Sequence, residues 1–224
     1  MSESLKTTSL PEAVYDALRS SILTMQIAPD EVVTETAVAL RFGVARPTAK
    51  AAIERLVIEG LLRRQAHRAA RVPQLSRLDI EDLYANRALI EGEALRNLAA
   101  ASSVPAAALS AQRDLVASAE VDDRAALARD DIAFHRALVT GQPSERLARM
   151  HSLIMGEVEL GIGQVQSHQL MKPLEIVAQH QAILDAVSDG DPARAADLTR
   201  RHIANARDRL LSKYDADHTP EESR

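Results

Sequence analysis

Cysteine and tryptophan are absent from this chain of 224 residues, and aromatic residues make up only 2% of it. Without cysteine there is no disulfide framework and no thiolate metal site. The scarcity of aromatic residues and the abundance of alanine favour packed helices, because alanine is the best helix former and aromatic residues favour strands. No apolar run approaches the length of a membrane span and the N-terminus lacks a signal-peptide pattern, so we expect a cytoplasmic protein with no membrane partner.

The segment Phe42–Leu56 combines a glycine, a proline and an apolar stripe at helical spacing. Gly43 can supply the positive φ of a tight turn between helices, and Pro47 fits the first turn of a new helix. The opposite face is polar and mostly basic: Arg46, Thr48, Lys50 and Arg55. This pattern matches a helix-turn-helix, whose second helix enters the major groove of DNA. An ordinary amphipathic helix with a solvated charged face is the alternative.

The distribution of charge favours the DNA-binding interpretation. The whole chain has a formal net charge of −5, which argues against non-specific binding of polyanions. Between Arg41 and Arg71, however, eight basic residues stand against only two acidic ones. Local basic clustering of this kind is typical of a nucleic-acid-binding surface.

The flanking residues predict the remainder of a small domain. A capping box at Ser9–Glu12 opens the first helix, Thr34 caps the second, and Pro73 ends the domain. We predict helices over residues 9–25, 34–40 and 46–60, followed by wing strands over residues 61–65 and 69–72 around a basic tip.

In its order of elements, the region 9–73 resembles the winged-helix domain of the GntR family of bacterial transcription regulators. The matching motifs are Ala28-Pro29, Gly43-Val44-x-Arg46, Ile53-x-x-Leu56 and Glu59-Gly60-Leu61, followed by the basic wing. The departures are Asp30 and Ala69 in place of glycine, Ala45 and Pro47 in place of a Ser/Thr pair, and Lys50 in place of arginine. The resemblance implies binding to operator DNA. We expect the DNA-facing residues to be Thr36, Arg46, Pro47, Thr48, Lys50, His67 and Arg68.

A second domain follows a linker over residues 74–78. Ser76 and Asp79 form its capping box, and residues 79–214 read as helices only. The predicted helices cover residues 79–101, 105–118, 123–141, 144–166, 170–189 and 192–213. Residues 215–224 are polar, and we predict a disordered tail. The expected fold class is therefore mainly α, with a winged helix-turn-helix followed by an all-α helical bundle.

Four polar residues lie on stripes that otherwise face the helical core: Asp131, His135, His180 and His202. Burying them without partners would cost roughly 1–3 kcal/mol each, and convergence on one divalent metal would remove that cost. Three imidazoles and a carboxylate suit zinc, nickel, manganese or iron. The alternative is that each residue is hydrogen-bonded locally in the core. His151 and His168 fit no such stripe and are predicted to be surface residues.

The pattern Asp-x-x-x-His with two later histidines resembles the metal site in the effector domain of the FadR-like (FCD) branch of GntR regulators. Six helices rather than seven would place the domain nearer the VanR-type subgroup. The branch also has an arginine where Arg87 lies on an inward stripe, and its effectors are often small organic acids. Arg87 either grips an effector carboxylate or forms a structural ion pair with Glu91, Glu157 or Glu159.

The leading hypothesis is a homodimeric transcription regulator, and not an enzyme, that binds an inverted repeat in operator DNA. A small carboxylate beside the metal ion would control its affinity for DNA. A pure metal sensor is one alternative. A helical metalloenzyme is another, because open coordination positions could activate water, but no acid, base or nucleophile motif accompanies the predicted ligands.

Overall fold

The computed structural model describes residues 9–66, 68–165, 167–170 and 172–218, with only the backbone described at Ser167 and His168. The chain divides into two compact units after Gln74. The predicted fold class is confirmed, because the first unit is a helix-turn-helix with a small sheet and the second is helical. The predicted DNA-facing residue His67 lies outside the described residues, as does most of the predicted tail.

The first unit contains three helices and two short strands: α1 (Leu10–Leu23), β1 (Val32–Val33), α2 (Glu35–Phe42), α3 (Arg46–Ile58) and β2 (Ala70–Arg71). Gly43 has a φ of +64° between α2 and α3, as the sequence predicts. Thr34 caps α2 by accepting a hydrogen bond from the backbone N–H of Ala37 at 3.1 Å. Ser9 is the N-cap of α1 but makes no side-chain capping bond, so the capping box predicted there is wrong.

The wing differs from the prediction. β2 pairs antiparallel with β1, which the sequence did not indicate as a strand. The predicted first wing strand, residues 61–65, forms only a single bridge, from Arg63 to Arg71. Leu61 and Leu62 are both completely buried, whereas successive residues of a half-buried strand alternate between two faces. These leucines turn into the core instead, and the sheet recruits β1.

The apolar side of α3 packs on α1, which leaves its basic side exposed. Ile53 and Leu56 of α3 are fully buried, as is Ile22 of α1. Asp30, which occupies a position where the GntR pattern has glycine, has a φ of +63° in the left-handed region. Its N–H donates to the carbonyl oxygen of Val72 at 2.9 Å, which fixes the turn against the wing.

The second unit contains six α-helices and a 3-10 turn over Ser167–Leu170 within the described residues. The helices are α4 (Arg77–Ala100), α5 (Ala106–Glu120), α6 (Arg124–Thr140), α7 (Glu145–Val165), α8 (Pro173–Ser188) and α9 (Pro192–His218). The capping box of Ser76 with Asp79 is confirmed at the start of α4. α9 continues to His218, so the tail predicted from residue 215 is wrong for residues 215–218.

The helical unit is built on α4 and α9, which pack along each other, with α7 against α4, α8 against α9, and α5 against α6. Phe134, Leu138, Ile183 and Val187 belong to an apolar cluster in its core. None of the helices, over the ranges described, is both long and apolar enough to cross a membrane. This arrangement directs inward the polar residues of α6, α8 and α9.

Candidate metal centre and DNA-binding surface

The structure brings together the four side chains that the sequence selects as metal ligands. Asp131 and His135 lie one turn apart on α6, His180 lies on α8, and His202 lies on α9. All four are buried, and each offers one ligand atom within 4.8 Å of the other three. Three helices thus contribute to a single cluster of donor atoms.

The distances between these donor atoms fit a common ion. The Nε2 atom of His202 lies 3.0 Å from Nε2 of His135 and 3.3 Å from Nε2 of His180. Asp131 Oδ1 lies 3.2 Å from His180 Nε2, and it lies 3.8 Å from His202 Nε2 and 3.9 Å from His135 Nε2. Ligands bound at about 2.0–2.1 Å around a tetrahedral ion stand roughly 3.3 Å apart. The donor set and its spacing therefore fit a divalent metal.

The outer nitrogens of two of these imidazoles are held by acceptors. His135 Nδ1 lies 2.6 Å from Glu91 Oε2, and His202 Nδ1 lies 2.8 Å from Gln179 Oε1. A carboxylate or amide oxygen accepts a hydrogen bond, so each Nδ1 carries a proton. The inner Nε2 atoms of His135 and His202 face each other at 3.0 Å, and in neutral rings both would present lone pairs.

Burial and neighbouring charges favour the neutral form of His180 and His202 and the ionised form of Asp131. Burial lowers the pKa of His180, and it lowers that of His202 further together with the neighbouring His180 and His135. Burial alone would raise the pKa of Asp131, but the hydrogen bond from His180 and the nearby imidazoles hold it well below its ordinary value. Neutral imidazole and ionised carboxylate are the forms that ligate metals.

Glu91 links the cluster to Arg87 through a buried network. Its Oε1 accepts a hydrogen bond from Arg87 Nε at 2.7 Å and lies 3.0 Å from Nε2 of His151. Burial would raise the pKa of Glu91, but His135 and Arg87 hold it well below its ordinary value. The ion pair between Arg87 and Glu91 that the sequence offered as one alternative is therefore present. The prediction that His151 lies on the surface is wrong, since α7 turns it inward against Glu91.

A small cavity of about 30 Å³ adjoins the ligand cluster and opens toward solvent. Its wall includes aromatic, aliphatic, cationic and candidate ligand side chains: Tyr84, Arg87, Ala128, Asp131, Ile162, His202, Ala206 and Arg209. Arg87 is buried, and its Nη2 atom has no hydrogen-bond partner among the described residues. The ion pair with Glu91 thus leaves part of the guanidinium of Arg87 available beside the cavity.

The predicted DNA-facing residues of the first unit are exposed, apart from Thr48, which is half-buried, and His67, which is not described. Arg46 Nη2 donates to Thr36 Oγ1 at 2.5 Å, which joins the start of α3 to α2. Arg46, Thr36 and Arg68 line one polar groove between these helices and the wing, together with Arg64. Pro47, Thr48 and Lys50 do not line this groove, and Lys50 pairs with Glu54 at 3.7 Å.

Several residues of the candidate sites were not selected from the sequence. Gln179 precedes a predicted ligand, and Glu91 lies one turn after Arg87, so their positions carried a signal. The positions of Arg209 and His151 in the sequence gave no such signal, because the contacts of these residues depend on which helices pack together. Glu159, considered as a partner of Arg87, forms its ion pair with Arg136 of α6.

Comparisons with known proteins agree with this architecture. The profile of the gntR family of bacterial regulatory proteins matches residues 10–72, and the profile of the FCD domain matches residues 82–205. The probable D-xylose utilization operon transcriptional repressor of Paenarthrobacter nicotinovorans is 28% identical over 207 residues, which cover 91% of this chain and 89% of that protein.

Two solved structures share the fold. A transcriptional regulator GntR from Rhodococcus sp. RHA1 has a TM-score of 0.76 at 22% identity, over 90% of this chain and 97% of its own. The E. coli protein McbR/YncC has a TM-score of 0.75 at 17% identity, over 93% of this chain and 100% of its own. With the two profiles matching its two units, the chain belongs to the GntR family of bacterial regulatory proteins and is a transcriptional regulator with an FCD domain.

Proposed function

We propose that a small carboxylate, bound beside a divalent metal in the helical unit, controls the affinity of this regulator for operator DNA. Asp131, His135, His180 and His202 would hold the ion, for which zinc, nickel and manganese are the candidates. When bound, the ion would supply a positive centre that attracts an anionic effector and would hold α6, α8 and α9 together.

The observation that carries this proposal is the close approach of two imidazole nitrogens with fixed tautomers. Nε2 of His135 and Nε2 of His202 lie 3.0 Å apart, and Glu91 and Gln179 accept from the opposite nitrogen, Nδ1, of each ring. In neutral rings, two lone pairs at that distance repel each other. A shared cation converts the repulsion into coordination, and the acceptors on Nδ1 are the partners that ligating histidines commonly have.

The effector part of the proposal is supported by the cavity next to these ligands. Arg87 lines this cavity with an unpartnered nitrogen, and guanidinium groups bind carboxylates well. α4 carries Arg87 and begins at Arg77, inside the predicted linker 74–78, as one continuous helix of 24 residues. An effector would act through its different affinities for the DNA-competent and DNA-incompetent arrangements, and α4 is the element that reaches the linker.

The proposal includes a homodimer on an inverted repeat, since helix-turn-helix dimers bind half-sites related by two-fold symmetry. The relative from Paenarthrobacter nicotinovorans is named as a repressor, which favours repression here as well. The six α-helices described in the second unit favour the VanR-type subgroup.

The test combines metal analysis with an operator-binding titration on wild-type protein and on His180→Ala, with and without candidate acids. His180→Ala should lose the metal and the response to acid while its effector-free DNA binding persists. His218→Ala is the control, because that exposed histidine, among the described residues, hydrogen-bonds only to the carbonyl oxygen of Tyr214 on its own helix.

Three results would contradict parts of this proposal. Full metal content in His180→Ala would remove that residue from the site. A normal acid response in metal-free protein would leave the metal with a purely structural role. A change in operator binding caused by metal alone, with no response to any acid, would establish a metal sensor instead.

A further inference from the structure

The cavity beside the candidate metal ligands has a second cationic residue that neither the motif nor the ligand set requires. Arg209 of α9 lines the same cavity as Arg87 of α4, and it is half-buried. No carboxylate pairs with Arg209 among the described residues, whereas Arg87 is paired with Glu91 at 2.7 Å. Arg209 is therefore a cation beside the cavity that forms no ion pair with a carboxylate of the described residues.

The spacing of residues on α9 separates Arg209 from the ligand cluster. His202, Ala206 and Arg209 all line the cavity, at successive turns of one helix face. Seven residues correspond to about 10 Å along a helix axis, and helical side chains lean toward the N-terminus. The side chain of Arg209 thus leans back toward His202, and the small side chain of Ala206 leaves space between them.

The charges that face this cavity favour a ligand with two negative groups. With a divalent ion bound, the single negative charge of Asp131 does not neutralise the metal, and Arg209 adds a further positive charge. Burial raises the pKa of Tyr84, so its hydroxyl stays protonated and can donate to an anion. A monocarboxylate would neutralise only one end of the cavity and leave Arg209 without a counter-charge.

We infer that the effector is a short dicarboxylate, with one carboxylate at the metal and Arg87 end and the other on Arg209, which acts as a specificity-determining residue. This inference rests on the function proposed above. It adds that Arg209 distinguishes diacids from monoacids of similar size.

Calorimetric titration of the metal-loaded full chain with malonate, succinate, glutarate and adipate, and with their monomethyl esters, tests the inference. For the diacid that fits best, we expect binding at least about tenfold tighter than that of its half-ester, the gain typical of a charge-assisted pair. Arg209→Ala should bring this ratio close to one without weakening the half-ester. Arg207→Ala is the matched control, since Arg207 pairs with Asp208 on the same helix and does not line the cavity.

Equal affinity of every diacid and its half-ester in the wild type would overturn the role of Arg209, while carboxylate binding itself would stand. A ratio that survives Arg209→Ala, or that Arg207→Ala also removes, would overturn it as well. If none of these acids or esters binds the metal-loaded protein, the carboxylate-effector function fails, and the dicarboxylate inference fails with it.

Discussion

His135 Nδ1 and Glu91 Oε2 lie 2.6 Å apart, and both side chains are completely buried. The same carboxylate accepts a hydrogen bond from Arg87 through its other oxygen. One glutamate thus fixes the ring of a candidate metal ligand and also holds the arginine that lines the neighbouring cavity. Its charge supports both parts of the proposed site.

Replacing this carboxylate by an amide should weaken metal binding. Glu91→Gln should lower the metal affinity roughly 10- to 100-fold, because an uncharged acceptor leaves the ring of His135 less basic and less firmly oriented. Competition with a chromogenic chelator measures the effect. Glu93→Gln is the control, since Glu93 is exposed on the same helix and pairs only weakly with Arg96. Equal losses of affinity in both variants would exclude the proposed role of Glu91.

Chelation should destabilise the helical unit selectively. The candidate ligands all belong to the second unit, so the free energy of metal binding adds to the stability of that unit alone. Free metal at 100 times its dissociation constant would contribute about 2.7 kcal/mol. Scanning calorimetry with and without a chelator should show the loss, and His202→Ala should show no further change on chelation. An equal shift of both units would argue against a local site.

The stability of the metal-free protein should fall as the pH drops below about 6.5. The pKa values of His180 and His202 are lowered in the folded state, so the unfolded chain takes up protons first. Each such group lowers the free energy of unfolding by up to about 1.4 kcal/mol per pH unit in this range, and the effect disappears above the ordinary pKa of histidine. Urea unfolding at pH 7.5 and 5.5 measures it, and His202→Gln should reduce the dependence. Greater stability at pH 5.5 would contradict the neutral form of these rings.

Two substitutions on α3 should separate base recognition from phosphate contact. Arg46→Ala should cost roughly 1–3 kcal/mol of operator binding and relax the preference at one position, because arginine commonly reads guanine in the major groove. Lys50→Ala should weaken all sequences alike and reduce the salt dependence by about one ion. Binding titrations on operator variants at several salt concentrations distinguish these results. If Arg46→Ala left the footprint and the operator affinity unchanged, the proposed contact of Arg46 with a base in the major groove would be refuted.

A pair of glycine substitutions tests the packing of the helical unit. A Cβ atom on Gly141 would lie 2.3 Å from Cγ of Pro105, so Gly141→Ala should lower the free energy of unfolding by roughly 1–3 kcal/mol. The nearest atoms to a Cβ on Gly92 of α4 would belong to the side chain of Arg200, at 3.6 Å, which is ordinary contact, so Gly92→Ala should raise the free energy of unfolding by up to about 1 kcal/mol. Urea denaturation of both variants measures whether each substitution raises or lowers the free energy of unfolding. Stabilisation by Gly141→Ala would contradict the close approach to Pro105.

The periodicity of the sequence is sufficient to predict that two ligands lie close together when both are on the same helix. Asp131 and His135 are four residues apart, so their proximity follows from helix geometry alone. Periodicity also turned His180 and His202 inward, but it could not bring them together, because that depends on how α8 and α9 pack. His151 was misplaced for the same reason.

The pairing of the two strands in the small sheet likewise depends on contacts between residues far apart in the sequence. The strand Val32–Val33 pairs with Ala70–Arg71 across a long stretch of sequence, with no hairpin turn to indicate the pairing. The helices that line the helical core were predicted to within a few residues. Capping residues and proline explain this, since they act on the neighbouring backbone. Contacts such as that of Arg209 with the cavity required the packed structure.

The burial of the four candidate ligands also affects how fast a bound ion could exchange. An ion held by side chains from three helices, each almost without solvent contact, can exchange only when those helices separate, which couples its release to the slow local unfolding of the bundle. A small acid entering the adjacent open cavity needs no such event. The metal content would then record the conditions under which the protein folded, while the acid would report conditions from moment to moment.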